Sequence, residues 1–118
     1  MHLTHASLRH ANLLADDLQR NGFPAGIRDI DQTGRDSDRL VRTYRHNGVQ
    51  VQVNEDTGTV TVACYGADDP GYLFGHLWNA MFTPTTPAEV IIATIRHAML
   101  TAKLHRDNER IAASGFFA

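Results

Sequence analysis

Three runs of β-prone residues, Leu40 to His46, Val49 to Asn54 and Thr59 to Tyr65, follow one another with only two turns between them. The first turn is Asn47-Gly48, the residue pair best suited to the two positive-φ positions of a type I′ hairpin. The second is Glu55-Asp56-Thr57-Gly58. A two-residue first turn sets Tyr44 opposite Val51. A four-residue second turn sets Val53 opposite Val60, Val51 opposite Val62 and Val49 opposite Cys64. The two registers agree on the same faces. One face carries Leu40, Tyr44, Val49, Val51, Val53, Val60, Val62 and Cys64; the other carries Thr43, Arg45, Gln50, Gln52, Asn54, Thr59, Thr61 and Tyr65. That is the pattern of an antiparallel sheet with one covered and one wet face. Arg42 and His46 fall on the apolar side, so either they sit near the sheet ends or their strand has a bulge.

The apolar face needs a cover, and the flanks supply two helices. Leu8, Ala11, Leu14, Ala15 and Leu18 recur at spacings of three and four, which predicts a helix over residues 5–21. Thr4 is its expected N-cap, Asp16 and Arg20 pair one turn apart, and Asn21-Gly22 before Pro24 stops it. Thr86-Pro87-Ala88-Glu89 announces the second helix: an N-cap, a proline at the first helical position and a Glu placed for a capping box. Ala88, Ile91, Ile92, Ile95, Ala98, Met99 and Ala102 form its apolar face, with the pattern continuing through Leu104 towards Ile111 until Ser114-Gly115. At 1.5 Å per residue this helix spans ~40 Å. A six-residue strand spans only ~20 Å. Residues 103–118 are therefore expected to project from the fold or fray unless a partner holds them.

Ile27 to Asp31 reads as a short edge strand, and Asp31 to Asp38 as a polar loop. Residues 72–82 admit two readings. Leu73, Leu77 and Met81 beside Phe74, Trp78 and Phe82 make a helical face, whereas Trp78, Ala80 and Phe82 alternate as in a strand. The strand, Leu77 to Phe82, is preferred because Gly75 weakens a helix and the alternation ends in a Thr-Pro break. The expected architecture is one α+β domain over residues 1–118. It is a two-layer sandwich of an N-terminal helix, a three- or four-strand antiparallel meander and a long C-terminal helix, with both helices on the valine face.

Composition limits what such a domain can do. With 118 residues, 42% of them hydrophobic, the chain can build one core. Eleven basic residues against thirteen acidic ones leave a net charge of −2, too little to draw the whole molecule onto nucleic acid or an acidic membrane. One cysteine excludes an internal disulfide and any multi-cysteine metal site, and suits a reducing cytoplasm. The N-terminal stretch lacks the apolar run of a signal peptide, and no stretch matches a membrane span; no membrane association is expected. Lys103 is the only lysine, and this Arg bias with abundant Ala points to a GC-rich source such as an actinobacterium or its phage.

Few residues suggest chemistry. The seven histidines, His2, His5, His10, His46, His76, His97 and His105, include no pair at i,i+4 on one helix and no HExxH, so no metal is expected. The only alternative is a site assembled in space from His46, His76, Asp68 and Asp69. Cys64 points into the valine face, where a thiol behaves as a small hydrophobe rather than a nucleophile. No GxSxG, Walker or GxGxxG motif is present, and neither a cofactor nor an enzymatic activity is expected. Asp16-Asp17 fits the polar face of the first helix and Asp68-Asp69 opens a Pro-Gly turn. Arg28, Arg35, Arg39, Arg42 and Arg45 crowd into eighteen residues, but Asp29, Asp31, Asp36 and Asp38 lie among them. A nucleic-acid accessory role through Arg35, Arg39, Arg42 and Arg45 is thus the second reading.

The first reading is a protein-binding or self-associating module. Tyr72, Phe74, Trp78, Phe82, Phe116 and Phe117, with Leu104 and Ile111 on the distal helix, supply more apolar surface than the valine face requires. The series Trp78-x-Ala80-x-Phe82 followed by Thr86-Pro87-Ala88-Glu89-Val90-Ile91 resembles the strand-then-helix ending of small domains from actinobacteria and their phages. The resemblance covers about a fifth of the chain and implies no activity.

Overall fold

Asn47 and Gly48 adopt φ of 48° and 84°, the left-handed pair that a type I′ turn demands. This turn joins β2 (Val41–His46) to β3 (Val49–Asn54). In the computed structural model, which describes residues 5–28, 41–55, 57–66 and 75–113, these two strands pair without interruption from Val41–Asn54 to His46–Val49. Tyr44 therefore lies opposite Val51, and no bulge interrupts the strand. The second turn closes with the Asn54 N–H on the Thr59 carbonyl at 2.9 Å and the Gly58 N–H on the Asn54 carbonyl at 2.7 Å. It delivers β4 (Val60–Cys64) in the expected register, Val53 to Val60, Val51 to Val62 and Val49 to Cys64.

The sheet grows by one strand at each edge. The strand reading of the aromatic segment holds: β5 (Trp78–Phe82) pairs antiparallel with β4, Trp78 opposite Cys64, Ala80 opposite Val62 and Phe82 opposite Val60. At the other edge β1 is only Ile27–Arg28, paired with Thr43 and Arg42. The sheet order is β1-β2-β3-β4-β5, a meander throughout. Asp29 to Leu40, and with them the remainder of the expected edge strand and loop, lie outside the described residues, as does the Gly66-to-Gly71 connection beyond Gly66.

The first helix, α1, spans His5–Arg20 and ends as Asn21-Gly22 foretells. Gly22 takes φ 91°, the Phe23 N–H bonds the Leu18 carbonyl at 3.0 Å, and the Gly22 N–H bonds the Gln19 carbonyl at 3.2 Å. These are the two bonds of a Schellman cap, and the hydrophobic contact that goes with it is present in buried Phe23 and Leu18. The second helix, α2, spans Ala88–Ala113, about 39 Å at 1.5 Å per residue. The Thr83–Thr86 turn before it is closed by the Thr86 N–H on the Thr83 carbonyl, and the two hydroxyls lie 3.2 Å apart.

Both helices cover the valine face. Leu14 and Leu18 of α1 and Ile91, Ile95, Ala98 and Ala102 of α2 join Tyr44, Val49, Val51, Val53, Val60, Val62 and Cys64 in one buried cluster. Each large aliphatic side chain so buried contributes about 1.5–3 kcal/mol. The expected α+β sandwich is the observed one. Its two polar residues on the apolar face are accommodated at strand ends. Arg42 turns its guanidinium to Glu55 (Nε–Oε1 2.7 Å) and to the Gly26 carbonyl (3.1 Å), while His46 stacks obliquely on Phe23 with ring centroids 5.2 Å apart.

The outer face is less wet than its composition suggests. Gln50 and Ala63 are buried there. Arg45, directly opposite Gln50, lays its Nε on the Gln50 Oε1 at 2.7 Å, and Ala63 is a small residue between the larger Gln50 and Asn79.

Candidate docking surface on the outer side of the second helix

The apolar pattern of α2 does not run down a single face. Ile91, Ile95, Ala98 and Ala102 are fully buried against the sheet. Val90, Leu100, Leu104 and Ile111, on the opposite side, are 46, 54, 53 and 43% exposed. Leu104 and Ile111 therefore do not extend the core-facing row, as the continuous pattern suggested. Two residues past Ala102, a helix has turned through about 200°, which carries Leu104 to the far side. The outward residues form a second row with Ala93 and His97: Val90, His97, Leu104 and Ile111 are spaced by seven, with Ala93 and Leu100 three residues after the first two. Seven-residue spacing of this kind is what coiled-coil seams share.

This row faces away from the sheet, between α1 and β5. On the α1 side, Arg96 reaches Asp17 at 3.3 Å; on the other, His97 packs against Trp78 with ring centroids 6.1 Å apart. The helix rests on β3 and β4, so it leaves β5 only partly covered. Trp78 and Phe82 accordingly pack against the core while remaining half-exposed, and Leu77 and Met81 are 49 and 74% exposed. β5 is also an edge strand, with one side unpaired among the described residues. His97 and Trp78 join the second helix's outer row to the β5 margin, and the two together form one flank; Met81, opposite Thr61, belongs to the other face of the sheet.

The far end of α2 is tied down as far as Arg106. The Arg106 guanidinium donates to the Asn47 carbonyl, and His105 lies over Gly66 and bonds Glu109 (Nε2–Oε1 3.1 Å). Gly66 has φ 74°, and a Cβ added there would come within 2.5 Å of the His105 ring. Only glycine combines that backbone with that approach. Beyond it, Asn108, Glu109, Arg110 and Ile111 are exposed, with Arg110 bonded to Asp107 at 2.7 Å.

Of the residues singled out as interface candidates, Trp78, Phe82, Leu104 and Ile111 thus fall on this flank. Tyr72, Phe74, Phe116 and Phe117 lie outside the described residues. Val90, Ala93, His97 and Leu100 escaped the sequence reading. The signal was there, a second apolar row spaced by seven, but the stronger isoleucine-alanine row claimed the same helix.

The two described arginines of the proposed patch lie on opposite faces of the sheet. Arg42 is on the helix-covered face and committed to Glu55; Arg45 is on the outer face and bonded to Gln50. Strand alternation alone separates them, and Arg35 and Arg39 lie outside the described residues. The Glu55 carboxylate, accepting from Arg42, holds that guanidinium's pKa above its ordinary value.

No group of three metal-ligating side chains comes together among the described residues; Asp68 and Asp69, proposed as partners of His46 and His76, lie outside them. His76 instead meets the Tyr65 ring edge-on at 6.0 Å. Cys64 is fully buried, its Sγ 3.6 Å from the Ala98 carbonyl, and burial pushes the thiol's pKa up, the opposite of what a nucleophile needs. Asp17, expected on a polar helix face with Asp16, is buried and accepts from Arg96 and Asn21. No helix among the described residues is long and apolar enough to cross a membrane.

Comparison with protein-family models, with curated proteins and with solved structures gave no match.

Proposed function

We propose that the protein is a non-enzymatic interaction module that docks another polypeptide on the α2–β5 flank. The observation that carries this reading is the outer row of α2, Val90, Leu100, Leu104 and Ile111, each about half-exposed although the helix already has a complete core-facing row. A soluble helix needs one apolar face; a second, at seven-residue spacing, is useful only against another surface. The β5 edge, unpaired among the described residues, and exposed Leu77 lie beside this row. Work in a cytoplasm, possible origin in a mobile element and absence of any cofactor belong to this reading. Support for it is the surface itself, an apolar row that the fold beneath leaves in water.

Affinity purification from the producing cell, with and without nuclease, tests it. The expected result is a stoichiometric polypeptide, either a differently tagged copy of the chain or a host protein. It survives nuclease and is lost when Leu104→Glu charges the outer row. Recovery of nucleic acid alone, or a polypeptide bound equally well by the variant, contradicts the reading.

A further inference from the structure

The outer row of α2 is complementary to itself when reversed. From the N-terminal end it reads Ala93, His97, Leu100, Leu104, Asp107, Ile111, at alternating steps of four and three. We infer that its partner is a second copy of this chain, the two α2 helices packing antiparallel about a two-fold axis beside Ala102. This rests on the docking reading above and names the occupant. In that arrangement Leu100 of each copy meets Leu104 of the other at the centre. One turn outward, His97 meets Asp107, and at the ends Ala93 meets Ile111. From Ala93 to Ile111 each apolar residue finds an apolar one, and each histidine, a hydrogen-bond donor, finds a carboxylate. Asp107 already accepts from Arg110 of its own helix at 2.7 Å, and a carboxylate has room for further donors. His97 is held for this contact by the Trp78 ring behind it.

A parallel pair fails on the same residues. It would set Asp107 against Asp107 and His97 against His97 inside the seam, and align the two helix dipoles in the same direction. The antiparallel pair opposes the dipoles and generates a closed, isologous contact that uses the same patch on both copies. One feature of the seam resists it: Lys103, on the flank beside the axis, approaches its counterpart. The dimer is therefore expected to tighten with salt, and to tighten when Lys103→Gln removes the repulsion.

Sedimentation velocity of the full chain reads the outcome directly. The wild-type protein is expected to move as a species of twice the 13.1 kDa chain mass at tens of micromolar and above. Leu104→Glu is expected to return it to the monomer with its circular dichroism unchanged, and Lys103→Gln to lower the dissociation constant severalfold. Orientation is read by mixing separately prepared Leu100→Cys and Leu104→Cys proteins under mild oxidation. Antiparallel pairing gives predominantly the mixed 100–104 disulfide; predominance of the 100–100 and 104–104 products overturns the proposed arrangement. A wild-type chain that stays monomeric overturns the dimer. If that monomer still retains a host protein through Leu104, the broader docking reading survives; if it retains none, both fail.

Discussion

The two faces of α2 are built from the same kind of residue and do different work. The inner face, two isoleucines (Ile91, Ile95) followed by two alanines (Ala98, Ala102), is fully buried against the valines of β3 and β4. The outer face, Val90, Ala93, His97, Leu100 and Leu104, is spaced by three and four in register with a heptad, and about half of Val90, Leu100 and Leu104 remains in water. What separates them is the sheet. It is broad enough to cover one side of the helix, and α1 flanks the helix on another. An apolar residue is therefore not evidence of core by itself; its angle around the helix, measured against the sheet below, decides.

Substitutions on the two faces should behave differently if this contrast is right. Ile95→Ala is expected to cost about 2–5 kcal/mol of folding free energy, because Ile95 is fully buried and its deletion leaves a cavity; urea denaturation of dilute protein measures it. Next in size is Gly66→Ala. It strains a left-handed backbone and drives a methyl into His105, with an expected cost of more than ~1 kcal/mol. Hydrogen exchange should show that loss as faster exchange in the helix beyond Ala102, with the inner face upstream little changed. Equal acceleration along the whole of α2 would contradict it.

Alkali offers a third probe, directed at the inner face alone. Burial raises the pKa values of both Cys64 and Tyr44 above their ordinary ranges. Their contributions to stability are fully present below the pKa values of the unfolded chain. They are lost as pH rises past those values through the folded ones, because the unfolded chain releases its protons first. Stability should be flat through neutral pH and fall in the alkaline range. The Cys64→Ala chain, compared with wild type, should show a smaller fall, and the native thiol should resist alkylation at neutral pH. The smallest expected change is that of Leu104→Glu on the folding of dilute monomer, within about 0.5 kcal/mol, as for a surface site. A loss comparable to that of Ile95→Ala would mean that Leu104 belongs to the core.

Much of this architecture was legible in the residues because local rules agreed with the global fold. Asn47-Gly48 and the four-residue turn after Asn54 specified the same register for three strands, and the structure has it. Trp78, Ala80 and Phe82 resolved as a strand because their alternation matches Cys64, Val62 and Val60 across the ladder. The docking flank was legible only in part. Leu104 and Ile111 were visible as apolar residues on the distal helix, but their separation from the inner row depends on where the sheet lies. Asp17 was misjudged for the same reason: a carboxylate on a helix reads as solvated until Arg96 of a helix far along the chain is brought beside it.

The thermal unfolding midpoint, followed over a hundredfold range of protein concentration, tests the two-face account most directly. A native state held together by the outer row of α2 should gain stability with concentration by mass action. Leu104→Glu should abolish that dependence and leave the midpoint of the most dilute samples in place. A wild-type midpoint independent of concentration, or one that Leu104→Glu lowers equally at every concentration, would contradict the assignment of the outer row to docking.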